Sequence, residues 1–272
     1  MKKLLSLILT LALTLTAASA LANETIVIGA TPTPHAEILE FIKDDLAALG
    51  YDLDIQIFTE YPIPNPATAS GDLDANYFQH IPYLTAYNNS VEDAQKLAAV
   101  IPVHYEPYGI YAGTKTALAD IAEGDSIAVT NDPSNETRAL NLLQEAGLIK
   151  LPEGVDLLND SLTKLDIVEN PLNLDIVEVN AELLASTRQD VSFAVINGNF
   201  AIGAGLKPAE DALLLEDASG EAGKIYTNYV VVRTADEQAP WVEALRTVLN
   251  SDKLRDFILN NEAYAKGVLP VF

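Results

Sequence analysis

A chain of 272 residues, 49% hydrophobic and 20% charged, can bury one large core or two smaller ones and is not polar enough to stay disordered. Its 16 Lys and Arg against 39 Asp and Glu give a formal net charge of -23, which excludes a phosphate backbone as partner and works against docking on anionic lipid. The absence of cysteine excludes a disulfide framework, cysteine catalysis and a lipidated cysteine at the processing site described next.

Met1-Lys2-Lys3 is a basic start, Leu4 to Leu15 is apolar, and small residues lead to Ala20-Leu21-Ala22 before Asn23. This pattern predicts a secretory signal peptide over 1–22 and an exported, periplasmic protein without a lipid anchor. Glu24 to Ala30 then reads as a strand that runs into the Thr31-Pro32-Thr33-Pro34-His35 loop. Ile38, Leu39, Phe41, Ile42, Leu46 and Leu49 recur at helical spacing before Gly50, and Leu53, Ile55 and Ile57 alternate as a second strand. Strand, helix and strand in that order predict a parallel βαβ unit.

After the proline-rich loop Tyr61 to Pro66 and a short helix near 67–70 comes the segment Gly71 to Tyr83. It interleaves Asn76, Gln79 and His80 with Tyr77, Phe78 and Tyr83, the mixture of apolar walls and placed polar groups that a small-molecule pocket needs. A strand end with its aromatics in the core reads equally well from this segment alone. Helix follows at 82–88, and strands at 97–103 and 107–112.

A second unit begins with a short helix at 117–121 and a strand at 125–130. Asn131 to Arg138 leads into a helix with Ser134 as its expected N-cap, which ends at Gly147. Apolar segments follow at 165–168 and 174–179, the second a strand, then a helix at 181–189 and a buried strand over 191–200 that ends in amides. The last strong strand is 225–233, with closing helices at 241–249 and 254–260. Asp72 to Phe78 and Asp190 to Phe200 repeat a pattern in which a strand ends near an Asn. Open parallel sheets bind ligands beyond the carboxyl ends of their strands, so two facing lobes would make a cleft.

No G-x-S-x-G, Walker loop, H-E-x-x-H or G-x-G-x-x-G occurs. The histidines His35, His80 and His104 lie on different elements without ligand spacing, so neither a metal nor a cofactor is expected. Arg138 is expected in the first turn of its helix, where a guanidinium beside free N–H groups suits bidentate recognition of a carboxylate. Pairing with Glu136 or another acid is the competing reading.

The segments Asp72 to Leu84, Asn131 to Leu140, Glu169-Asn170-Pro171, Ala194 to Asn197 and Tyr226-Thr227-Asn228 resemble, in order and spacing, the NlpA family, the methionine-binding lipoproteins of ABC importers. The resemblance covers nearly all of the chain after residue 22. It implies a two-lobed α/β periplasmic solute-binding fold of type II kind, each lobe a mixed sheet flanked by helices, with the ligand in the interlobe cleft. The expected lobes are 23–108 plus 229–272, and 109–228. Carried over residue by residue, Arg138 would bind the α-carboxylate of L-methionine or a similar amino acid. Asn197 and Asn228 would hold its charged ends. Tyr61, Phe78, His80 and Tyr83 would wall the thioether, with Asn76 nearby. The implied protein is a monomer that serves an ABC permease and is not an enzyme. Another amino acid, D-methionine or a methionyl dipeptide is the alternative ligand; a metal-ion carrier or an exported enzyme is the alternative class. The chain departs from the family in having no lipobox cysteine and in Ile81, where a basic residue often follows the histidine.

Overall fold

The computed structural model describes residues 23–220, 222–264 and 266–272, so the expected signal peptide lies outside the described residues. Two sheets organise it. The first takes strands β1 (Glu24–Ala30), β2 (Tyr51–Ile57), β3 (Ala75–His80), β4 (Leu97–Tyr105), β10 (Thr227–Arg233) and β11 (Leu269–Pro270), in the order β11-β4-β10-β3-β1-β2. The second takes β5 (Gly109–Ala112), β6 (Ser126–Thr130), β7 (Asp175–Val179), β8 (Phe193–Ile196) and β9 (Ala212–Leu215), in the order β7-β6-β8-β5-β9. The chain passes from the first sheet to the second through Glu106 to Tyr108 and returns between Leu215 and Thr227.

Both sheets are mixed. β1 runs parallel to β2 and β3, as the predicted βαβ unit requires, while β10 lies antiparallel between β3 and β4. In the second sheet β6 is parallel to β7 and β8, and β5 is antiparallel to β8 and β9. Helices cover both sheets, so the central strands are buried on two faces and read as unbroken apolar runs. Successive side chains then enter different cores. Val230 and Val232 of β10 join the main core, while Val231 packs on the opposite face with Leu84 and Leu97. In β8, Phe193 and Val195 face one core and Ala194 and Ile196 the other.

Helix α1 (Glu37–Ala47) buries Ile38, Leu39, Ile42 and Leu46 of the expected stripe, while Phe41 is half-buried and Leu49, beyond the helix end, is exposed. Helix α2 (Pro64–Ser70) stops at Gly71, whose φ of 89° is left-handed and favours glycine. Helix α3 (Ile81–Ser90) follows β3 directly, and α4 (Pro133–Glu145) follows β6. The helix expected at 181–189 is split into a 3-10 turn (Ala181–Leu183) and a short α5 (Leu184–Thr187).

Two local expectations change, and the apolar segment left unassigned at 165–168 is resolved. The 117–121 segment forms only a 3-10 turn, Leu118–Asp120. Residues 165–168 are not a strand: Thr163 and Asp166 close a capping box around a turn at Lys164–Asp166, and Leu165 is left exposed. The run over 191–200 is strand only to Ile196, because Asn197 ends it and Gly198–Gly203 forms helix α6. Among the described residues, no helix is long and apolar enough to cross a membrane.

Candidate functional site

The C-terminal end of β3, the start of α3, the crossover at 106–108, α4, the β8–α6 junction and β10 converge on one narrow cavity. Tyr61, Phe78, His80, Tyr83, Arg138, Asn197 and Asn228 all line it. Asn76 does not. It is the second residue of a strand that reaches the cavity only at Phe78 to His80. Its amide is spent behind the wall, donating to Asn65 Oδ1 at 3.1 Å and Thr68 Oγ1 at 2.8 Å and accepting from Gln79 Nε2 at 2.8 Å. Asn76 therefore fixes Gln79 and helix α2 and makes no wall of its own.

The apolar side is a cluster of rings. Tyr61 lies 5.7 Å from Phe78, 5.9 Å from Tyr83 and 5.1 Å from Phe200 between centroids, and Phe78 lies 5.5 Å from Tyr83. Such edge and tilted contacts hold the rings in fixed orientations. The Tyr61 hydroxyl donates to Asn199 Oδ1 at 2.6 Å, which ties the first lobe to α6 of the second. His80 makes a second tie. Its Nδ1 accepts from the Tyr83 N–H at 3.3 Å, so the ring proton is on Nε2, which donates to Asn135 Oδ1 at 3.0 Å. Burial, with the nearby Arg138 charge, lowers the His80 pKa to about 3. His80 is thus a neutral crosslink with both nitrogens occupied.

The polar side is built on α4, but not by the expected cap. Asp132 caps the helix, accepting from Asn135 N–H at 3.0 Å, and Pro133 takes the first helical position. Ser134 is inside the helix, and Arg138 falls in its second turn, away from the free N–H groups. Nor is the guanidinium fork open. Arg138 Nε donates to Glu216 at 3.0 and 3.2 Å, and Nη2 donates to Glu216 Oε2 at 2.5 Å and to the Glu106 carbonyl at 2.7 Å. The Tyr108 and Tyr226 rings flank the guanidinium, 4.2 and 4.0 Å from Cζ to centroid. Burial acts to lower the pKa of Arg138, but Glu216 more than offsets it and holds the cation firmly charged. Nη1 alone has no hydrogen-bond partner among the described residues and remains for the cavity.

Opposite Arg138, the Glu106 carboxylate is buried against Gly198, where a Cβ would come within 2.6 Å of Glu106 Cβ. His104 Nδ1 bonds the Tyr77 hydroxyl, and His104 Nε2 donates to Glu106 Oε1 at 2.6 Å. His35 Nδ1 bonds Thr31 Oγ1 at 2.7 Å. His35 Nε2 lies 3.1 Å from Asn228 Oδ1 and 3.6 Å from Glu106 Oε1. Burial lowers the pKa of His35 to about 4 and that of His104 to about 3, so both are neutral and their contacts with Glu106 are not ion pairs. Burial raises the Glu106 pKa, with His35 opposing. His35, His104 and Glu106 lie close enough to share a metal ion. Each imidazole nitrogen, however, already has a protein partner, which suits a hydrogen-bond network rather than a coordination site. A neutral His35 donating from Nε2 fixes the Asn228 amide with Nδ2 free for the cavity. Asn197 Oδ1 is buried with no hydrogen-bond partner among the described residues.

The cavity therefore presents donors from Arg138 and Asn228, acceptors from Glu106 and Asn197, and a ring-lined pocket beyond. Gln79, noted in the pocket-like segment, also lines the cavity, whereas sequence reasoning missed Glu106, Tyr108, Asn135 and Asn199. The usable signals were an isolated acid between two apolar strands and the Asn197-Gly198-Asn199 triplet after β8.

Known proteins are similar to this chain over most of its length. The methionine-binding lipoprotein MetQ of Bacillus subtilis (strain 168) is 39% identical over 248 residues, covering 90% of this chain and 88% of the relative. The D-methionine-binding lipoprotein MetQ of Escherichia coli (strain K12) is 38% identical over 222 residues, 80% and 78% of the two chains. The solved structure of a nutrient binding protein from Burkholderia cenocepacia bound to methionine superposes with a TM-score of 0.84 at 36% identity, covering 91% of this chain and 100% of that one. The family described as NlpA lipoprotein matches residues 26–272, and the chain belongs to that family.

Proposed function

We propose that the protein is an exported solute-binding component of an ABC importer that holds L-methionine, or a close relative of it, in the cavity between its lobes. The observation that carries this reading is the division of the cavity wall. Arg138 Nη1 and Asn228 Nδ2 would donate to a carboxylate, Glu106 and the unpartnered Asn197 Oδ1 would accept from an ammonium, and Tyr61, Phe78 and Tyr83 would enclose a side chain. A buried zwitterion without such partners would cost several kcal/mol. A thioether against aromatic rings gains roughly 0.3–1.5 kcal/mol per contact. The methionine-binding relatives and the methionine-bound neighbour support the same ligand.

The lobes of this reading are 23–108 plus 229–272, and 109–228, and they close on the ligand as a monomer before delivery to the permease. Because no cysteine is present to carry a lipid, we place the processed protein free in the extracytoplasmic space, where it would fractionate with soluble proteins. D-methionine is the second reading, since several relatives are named for it.

A thermal-shift panel of L- and D-amino acids and methionyl dipeptides tests the proposal. Ligand at 100 times its Kd should add about 2.7 kcal/mol of stability. L-methionine, followed by its D-isomer, is expected to give the largest rise in Tm. A panel with no rise for any methionine compound would overturn the proposal.

A further inference from the structure

Glu216 does not line the cavity, yet it holds the cavity's cation. It stands just beyond β9, on the segment that returns the chain to the first lobe, and its side chain is 6% exposed. Four donors converge on its carboxylate: Arg138 Nε, Arg138 Nη2, the Tyr105 hydroxyl at 2.5 Å and the Tyr108 N–H at 3.2 Å. Tyr105 ends β4 of the first lobe and Arg138 belongs to α4 of the second. Backbone pairing of Glu216 N–H with the Tyr108 carbonyl at 2.9 Å fixes the position of this junction.

The consequence is electrostatic. In a site this buried, charges act with little screening. The Arg138–Glu216 pair is neutral as a unit, so the cavity offers a carboxylate well-placed N–H donors but no net positive charge. The carboxylate left over is that of Glu106, which faces the cavity beside two neutral imidazoles and is supported by the Asn199 N–H, with the Arg138 charge acting on it more weakly than burial. A bare carboxylate entering the site would meet Glu106 without compensation, whereas a ligand that brings its own ammonium would satisfy it. An arginine without a buried counter-ion would give the opposite preference.

We infer that Glu216 is a positioning residue that makes the site select zwitterionic α-amino acids over the corresponding carboxylates that lack an amino group. It does so by cancelling the Arg138 charge and turning only Nη1 toward the ligand. The inference rests on the amino-acid reading above and deepens it.

The test compares three ligands in calorimetric titration: L-methionine, 4-(methylsulfanyl)butanoate, which lacks the ammonium, and 3-(methylsulfanyl)propylamine, which lacks the carboxylate. The wild-type protein should bind the amine at least about tenfold more tightly than the acid. Glu216→Gln should move this ratio at least about tenfold toward the acid, and Glu216→Asp should keep the wild-type order. A purely structural role would weaken all three ligands together and leave the ratio unchanged, which would overturn the inference. If Glu216→Gln does not fold, the wild-type order decides, and an acid bound as tightly as the amine overturns it. Failure of the wild-type protein to bind L-methionine would instead remove the underlying reading, and this inference with it.

Discussion

Gly198 shows how tightly single residues are specified around the cavity. A methyl group there would sit 2.6 Å from Glu106 Cβ and 3.1 Å from its Oε2, so the acid would have to move. Overpacking of this kind costs about 1–3 kcal/mol. Gly198→Ala is therefore expected to lose stability in that range and also to weaken methionine binding, because Glu106 is displaced from His104 and from its place in the cavity wall. Denaturant titration and calorimetry check the two effects, and wild-type behaviour in both would show that the contact has slack. Arg138 illustrates a different economy. Three of its five N–H bonds go to protein acceptors before any ligand is considered, and the two rings around it limit where the remaining nitrogen points. Its value lies in orientation rather than in free charge.

At the scale of elements, helix α4 carries both the site and, at the buried Glu136, a pH-sensitive contact. Glu136 accepts from the Lys164 N–H at 2.8 Å and faces Glu178 of β7, which is itself paired with Lys164 Nζ at 2.6 Å. Burial first, with Glu178 adding to it, raises the Glu136 pKa from 4.5 to about 7. A carboxyl with a raised folded-state pKa contributes stability that is complete below its unfolded pKa and is lost as pH rises through the folded one. Glu136→Gln, which cannot ionise, should thus be more stable than wild type at pH 8 by roughly 1–2 kcal/mol after screening, with the gap closing toward pH 4.5. Melting curves across that range measure it, and a gap that is constant with pH would contradict it. The elements themselves were largely legible. A β-rich run ending at glycine marked β1, period-3.6 and period-two patterns marked α1 and β2, and unbroken apolar runs marked β6, β8 and β10. What sequence could not give was choice among partners. Asp132 rather than Ser134 caps α4 because its carboxylate reaches Asn135 N–H while also accepting from Thr130 and Ser134 hydroxyls. Leu165 to Val168 has strand-like residues but no neighbouring strand to pair with. The Arg138–Glu216 pair joins residues 78 apart in the chain, and no local pattern points from one to the other.

For the whole molecule, the site exists only where the two sheets meet. The aromatic wall and Asn228 of β10 come from the first lobe, the arginine and Asn197 from the second, and Glu106 from the first passage between them. Tyr61 with Asn199, His80 with Asn135, and Tyr105 with Glu216 are hydrogen bonds that span the lobes around the cavity, so closure and completion of the wall are one event. Opening the cleft would break all three and expose the ring cluster. The same division explains what was readable beforehand: the aromatic segment at 71–83 is contiguous, whereas the polar half is assembled from four separate stretches. The central claim is that this cavity binds methionine through those opposed polar ends. It is tested most directly by calorimetric titration of ligand-stripped protein with L-methionine, comparing wild type with Asn228→Ala. One site per chain is expected in the wild type, with affinity about 10–100-fold weaker in the variant for loss of a hydrogen bond to a charged group. Absence of binding in the wild type, or equal affinity in both proteins, would contradict the account.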